Sequence, residues 1–242
     1  MRGIFYARKE SEMPRKKNTT SRAVASARNT NLAKLPERVA IGAHEVRPEQ
    51  LYVIKDRHPR GRGPWTDEPF DKIAWRDAET GLDCILLRQP SGVWGGFVAV
   101  GPGHPFYAHR EDAIPAAAGL SPHGGIDYAQ ACSRNEDEAV RVCHAHTGHR
   151  AAQRDTPTAE DQTMDDAWWF GFLADKPGDH VPSGSKPVLA SEEGEVYRSI
   201  DFMYAETTKL ARQLKAIEDG SAVGTDPVLP ASPLRLGKPG GR

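Results

Sequence analysis

The sequence predicts an α+β fold, a mostly antiparallel sheet covered by a C-terminal amphipathic helix, and three observations carry that prediction. Val196, Ile200, Met203, Thr207, Leu210, Leu214 and Ile217 recur at alternating steps of four and three, which places all seven on one stripe of a helix. Residues 82–88 and 93–100 are two strand-like apolar runs separated by Gln89-Pro90-Ser91-Gly92, a turn sequence. Apolar clusters fall between Phe70 and Ile217, whereas both ends are rich in Arg, Lys, Gly, Pro and Ser. The reading is therefore one domain over residues 63–220, with a basic, largely disordered arm over 1–62 and a flexible tail over 221–242.

Taken in order, residues 2–38 show no helical or strand periodicity, and Met13 offers an alternative start to Met1. Leu51-Tyr52-Val53-Ile54 is long enough for an isolated strand, cut off by the linker-like His58-Pro59-Arg60-Gly61-Arg62-Gly63-Pro64. Phe70, Ile73, Ala74 and Trp75 have the spacing of a short helix or helical turn. The predicted hairpin follows, and Gly95-Gly96 inside its second strand suggests a bulge or the close approach of another backbone or a ligand. A Gly-, Pro- and His-rich loop spans 101–118, and 126–129 is a short strand. Residues 133–165 are polar and unpatterned, a loop excursion. Ala167-Trp168-Trp169-Phe170-Gly171-Phe172-Leu173 reads as a central strand. The last helix has Ser191, Glu192, Glu193 and Glu195 near its predicted start and Asp219-Gly220 at its stop. Its stripe suits a coiled-coil seam or packing across the sheet, and strands that need cover favour the sheet.

Composition narrows the function classes. No apolar run approaches a membrane span, and three cysteines form an odd set with no secretory pattern before them, so a soluble protein of the reducing cytoplasm without a disulfide framework is expected. Net charge is −1, yet residues 1–62 carry 15 Lys and Arg against 6 Asp and Glu, a balance of +9. The remainder carries 17 against 27, or −10. Such an arm can neutralise nucleic-acid phosphates, dock on its own acidic body, or be a bland extension.

Four groups of residues carry candidate chemistry. Cys132, Cys143, His144, His146 and His149 offer zinc-type ligands, although the absence of a CxxC pair and the crowded His-x-His favour a surface histidine cluster. In Pro122-His123-Gly124-Gly125 the glycines let backbone amides approach an anion or turn sharply, and histidine as a residue type can change charge near neutral pH. Gly178-Asp179-His180 follows the aromatic strand, where a carboxylate can serve as base or orienter. His104, in Gly101-Pro102-Gly103-His104-Pro105, follows the strand over 93–100 and can converge with His123 if the strands are neighbours.

Gly103-His104-Pro105-Phe106-Tyr107, Pro122-His123-Gly124-Gly125-Ile126-Asp127-Tyr128, Trp168-Trp169-Phe170-Gly171-Phe172 and Gly178-Asp179 together resemble an uncharacterised family of tailed phages, prophages and bacteria. Its members carry GHPxY, HGGLTY, WWxGFD and GD blocks in this order, and the resemblance covers about residues 82–215. Leu173 stands where members have an aspartate, and Lys176 where they have a histidine. The resemblance implies a shared fold and a phage-type accessory role without an assigned activity or cofactor. The reading that follows is a pocket for a small polar ligand such as a nucleotide, with His104, His123 and Asp179 converging within roughly 10 Å. In it Gly124 and Gly125 give backbone access, and Trp168 and Tyr128 line the wall. The competing reading is a non-enzymatic interaction protein whose basic arm contacts nucleic acid or a protein partner.

Overall fold

The computed structural model describes residues 30–31, 35–132, 136–143, 166–182, 194–221 and 223. The fold is α+β. Among the described residues nine strands, β1 (Thr30–Asn31), β2 (Val39–Ile41), β3 (His44–Val46), β4 (Gln50–Val53), β5 (Lys72–Arg76), β6 (Asp83–Arg88), β7 (Trp94–Val100), β8 (Tyr128–Ala131) and β9 (Trp168–Leu173), precede one α-helix, α1 (Ile200–Glu218). Seven strands form an antiparallel sheet in the order β1-β4-β5-β6-β7-β9-β8, and β2 and β3 form a separate hairpin. None of the helices among the described residues is long and apolar enough to cross a membrane.

The predicted hairpin is present. Arg88 pairs with Trp94, Gly92 takes φ +84° and its N–H donates to the Gln89 carbonyl at 2.9 Å. Gly95 and Gly96 keep register with both neighbouring strands, so they do not mark a bulge. They serve the close approach instead: a Cβ on Gly96 would lie 2.3 Å from Thr207 Oγ1 of α1. The helix thus packs directly on β7, and the stripe residues Met203, Thr207, Leu210 and Leu214 are buried there.

Several boundaries differ from the sequence reading. The core begins before residue 63, because β4 pairs with β5 and because Ile41, Val46 and Leu51 are buried against the helix face. Residues 72–76 form a central strand instead of a helical turn. Their alternating side chains reach opposite faces, Ile73 and Trp75 toward α1 and Ala74 away from it. The helix starts at Ile200, capped by Ser199, whose side chain accepts from the Phe202 N–H, and Val196 is half exposed in an isolated bridge to Asp179. Asp219 and Gly220, at φ +66°, end it as predicted. Residues 1–29 of the arm and 224–242 of the tail lie outside the described residues.

The sheet is covered on both sides. Every residue of β6 and β7 is buried, the signature of strands packed on two faces rather than one. Opposite α1, Ile85, Leu87, Phe97, Ala99 and Trp169 pack under residues 136–143, where Ala139 and Val142 are buried. Part of the predicted excursion is therefore a cap on the core. Two devices hold it: a Cys132–Cys143 disulfide, and fully buried Lys72, whose Nζ donates to the carbonyls of Glu138 at 2.6 Å and Arg141 at 3.1 Å. The disulfide corrects the expectation of a chain without a disulfide framework, and Cys84 is free and buried.

Candidate functional site

Three short backbone features bring one polar cluster together. Residues 122–125 form a tight turn closed by the Gly125 N–H on the Pro122 carbonyl at 2.9 Å, with Gly124 and Gly125 at φ +71° and +94°. Past the end of β9, a second turn is closed by the Asp179 N–H on the Lys176 carbonyl at 2.8 Å. Asp179 then forms a parallel bridge with Val196, which delivers Arg198 two residues later. Gly124 is required by its surroundings as well as its φ, since a Cβ there would lie 2.5 Å from the Lys176 stem.

Asp179 is the hub. Its carboxylate is buried and accepts three hydrogen bonds, from His123 Nε2 at 2.6 Å, the Lys176 N–H at 3.0 Å and Arg198 Nε at 2.6 Å. A buried carboxylate needs such partners, and two of them are side chains that reach the surface. His123 is 17% exposed and Arg198 26% exposed. Facing a carboxylate acceptor, His123 carries a proton on Nε2, which leaves Nδ1 as the second polar atom of the ring. Neither His123 Nδ1 nor the two terminal nitrogens of Arg198 has a partner among the described residues. Phe202 braces both side chains, edge-to-face with the imidazole at 5.2 Å and under the guanidinium at 4.8 Å. Lys176 Nζ pairs with Asp127 beside the cluster.

The other predicted residues are elsewhere. His104 is buried and structural: its Nδ1 accepts from the Phe106 N–H at 3.0 Å, so Nε2 donates to the Leu214 carbonyl at 3.0 Å. Burial lowers its pKa, which keeps the imidazole neutral for that pairing. His104 meets α1 at Leu214 and His123 meets it at Phe202, twelve residues or roughly 18 Å apart along the axis, so the expected convergence of His104 with His123 and Asp179 does not occur. Trp168 sits at the opposite end of β9 from Asp179 and donates its Nε1–H to the His109 carbonyl at 2.8 Å. Tyr128 packs edge-on against Phe97 on the face away from α1. Cys132 and Cys143 are bonded to each other and offer no thiolate, while His144, His146 and His149 lie outside the described residues. Among the described residues no group of three or more His, Cys, Asp or Glu side chains is placed to hold a metal ion.

Two features escaped the sequence reading. Arg198 pairs with Asp179 across nineteen residues, a contact no local pattern announces. The second is a buried polar network around Arg88, which donates to Asp71 Oδ1, the Gly92 carbonyl, Tyr197 OH and Glu68 Oε2 and stacks on Trp94 at 4.2 Å. Burial works against the Arg88 charge, but Tyr197 and Glu68 outweigh it and raise its pKa. Glu68 Oε1 also accepts the Ile200 N–H at 2.8 Å, so the network ties the β6–β7 hairpin to the start of α1. With its donors matched to acceptors it serves the fold, and it fixes Tyr197 immediately before Arg198. No family model, curated protein or solved structure matches the chain.

Proposed function

We propose that this protein is a phage- or prophage-type accessory protein that binds a small anionic ligand, such as the phosphate end of a nucleotide, at His123, Asp179 and Arg198. The observation that carries the reading is the pairing of a buried, three-fold satisfied carboxylate with two partly exposed side chains whose remaining polar atoms have no partner among the described residues. Asp179 orients both partners, so the ordering cost of an anion site is already met before a ligand arrives. The terminal nitrogens of Arg198 give a two-pronged donor edge suited to a phosphate. His123 Nδ1 is the second ligand-facing polar atom of the reading, a ring nitrogen able to hydrogen-bond a phosphate oxygen or a ligand hydroxyl. The phage-type role rests on the resemblance of the GHP, HGG, WWFGF and GD blocks.

Calorimetric titration with inorganic phosphate tests the site. Saturable binding that weakens at least tenfold in Arg198→Met supports it, and equal heats for the two proteins reject it.

A second reading has its own observation. Lys55, Arg60 and Arg62 are exposed on one loop of the domain, and residues 1–29 add 8 Lys and Arg against 2 Glu. This reading has the basic arm contacting nucleic acid. Because β4 belongs to the sheet, the test deletes only residues 1–29: salt-sensitive binding to generic DNA should fall on deletion, and undiminished binding rejects the arm.

A further inference from the structure

On the sheet face away from α1, a cavity of about 380 Å³ lies between the strand ends and the 136–143 cap; its lining includes none of His123, Asp179 and Arg198 but does include Asp127, the partner of Lys176. Its volume falls within the range of small-molecule sites. Phe97, Leu173 and Val140 supply an apolar wall, and the Tyr128 ring stands edge-on to Phe97 at 5.2 Å. Six polar side chains line this space, Arg57, Gln89, Asp127, Tyr128, Gln130 and Glu136. Arg57 is fixed by donating from Nη1 to the Arg88 carbonyl at 2.8 Å, which leaves its Nη2 and Nε unpartnered among the described residues. The Tyr128 hydroxyl and both oxygens of Glu136 are likewise without a described partner. Arg57, Tyr128 and Glu136 line the same cavity, and no hydrogen bond or ion pair among the described residues joins the three. Burial first, and Glu136 second, push the Tyr128 phenol up to about 12, which keeps it a donor at neutral pH.

The donor and acceptor pattern selects a ligand class. A carboxylate with two open oxygens accepts a pair of parallel N–H groups, and a guanidinium beside it donates to an adjacent carbonyl while repelling a cation. A flat ring is held by the aromatic and aliphatic wall. We propose that this cavity binds a planar heterocycle with two adjacent N–H groups and a neighbouring carbonyl, the edge presented by a guanine-type purine, with Glu136 accepting, Arg57 donating and Phe97 and Tyr128 flanking the ring.

Calorimetry of the full chain with guanosine tests this, since guanosine lacks a phosphate and makes no demand on Arg198. Saturable guanosine binding is expected, at least tenfold weaker for adenosine, which lacks the carbonyl and the ring N–H. Glu136→Gln, an exposed substitution that leaves the fold intact, should weaken guanosine at least tenfold, and Arg198→Met should leave it unchanged. Absence of saturable guanosine binding, adenosine binding within tenfold of guanosine, a Glu136→Gln protein that binds as the parent does, or loss in Arg198→Met would each overturn the proposal.

Discussion

Arg198 Nε lies 2.6 Å from Asp179 Oδ1, and the same carboxylate holds His123 Nε2 at 2.6 Å on its other oxygen. One buried acid thus aligns two partly exposed side chains whose free atoms point away from it. Replacing Asp179 by Asn keeps the shape but sets an amide N–H₂ against donors that have no other acceptor among the described residues. Asp179→Asn should cost about 1–3 kcal/mol, read as a lowered urea midpoint, and a midpoint equal to the parent's would show that the hub does not hold the cluster.

The cap over residues 136–143 depends on a covalent tie. Cys132 and Cys143 are eleven residues apart, and closing so short a loop removes chain entropy worth roughly 3 kcal/mol from the unfolded state. Cys132→Ser should lower unfolding stability by about 2–3 kcal/mol and speed amide exchange in residues 136–143, and the reductant-treated parent should match it. A reductant-insensitive parent would contradict the tie.

Lys72 makes stability depend on pH. Burial lowers its pKa from 10.5 to about 7, and a neutral amine still has two hydrogens for its two carbonyl partners. Between those values the unfolded chain binds the proton that the folded chain has released, so stability rises with pH across that window. Urea midpoints measured from pH 6.5 to 9.5 should climb for the parent relative to Lys72→Met, and parallel profiles would refute the assignment.

Gly96 sets the distance between sheet and helix. A Cβ there meets Thr207 Oγ1 at 2.3 Å and the Phe172 ring at 2.8 Å, both in a packed interior. Gly96→Ala should destabilise by about 1–3 kcal/mol through overpacking, detected as a lower thermal midpoint, whereas a neutral result would mean α1 sits farther from β7.

What was legible in the sequence follows from the range of the forces involved. The hairpin at Gln89 to Gly92 and the helix stripe from Ile200 to Leu214 are local patterns, and both are present. The strand over 72–76 was masked because Phe70, Ile73, Ala74 and Trp75 also satisfy helical spacing, and a strand buried on both faces loses its alternation. The cap was hidden because its hold is non-local, one lysine from β5 and one disulfide. For the site, the glycines marked the turn beside His123 and the Gly-Asp pair marked Asp179. Arg198 gave no signal, since only the bridge between Asp179 and Val196 brings it near. His104 carried the same signals as His123, but burial under α1 gave it a structural role.

The most direct test of the ligand site is an NMR titration of ring-labelled histidines with inorganic phosphate, in the parent protein and in Arg198→Met. The site at His123 predicts a saturable shift of the His123 ring resonances, absent in Arg198→Met, with His104 unmoved in both. A His123 ring that ignores phosphate, or shifts equally without Arg198, would contradict it.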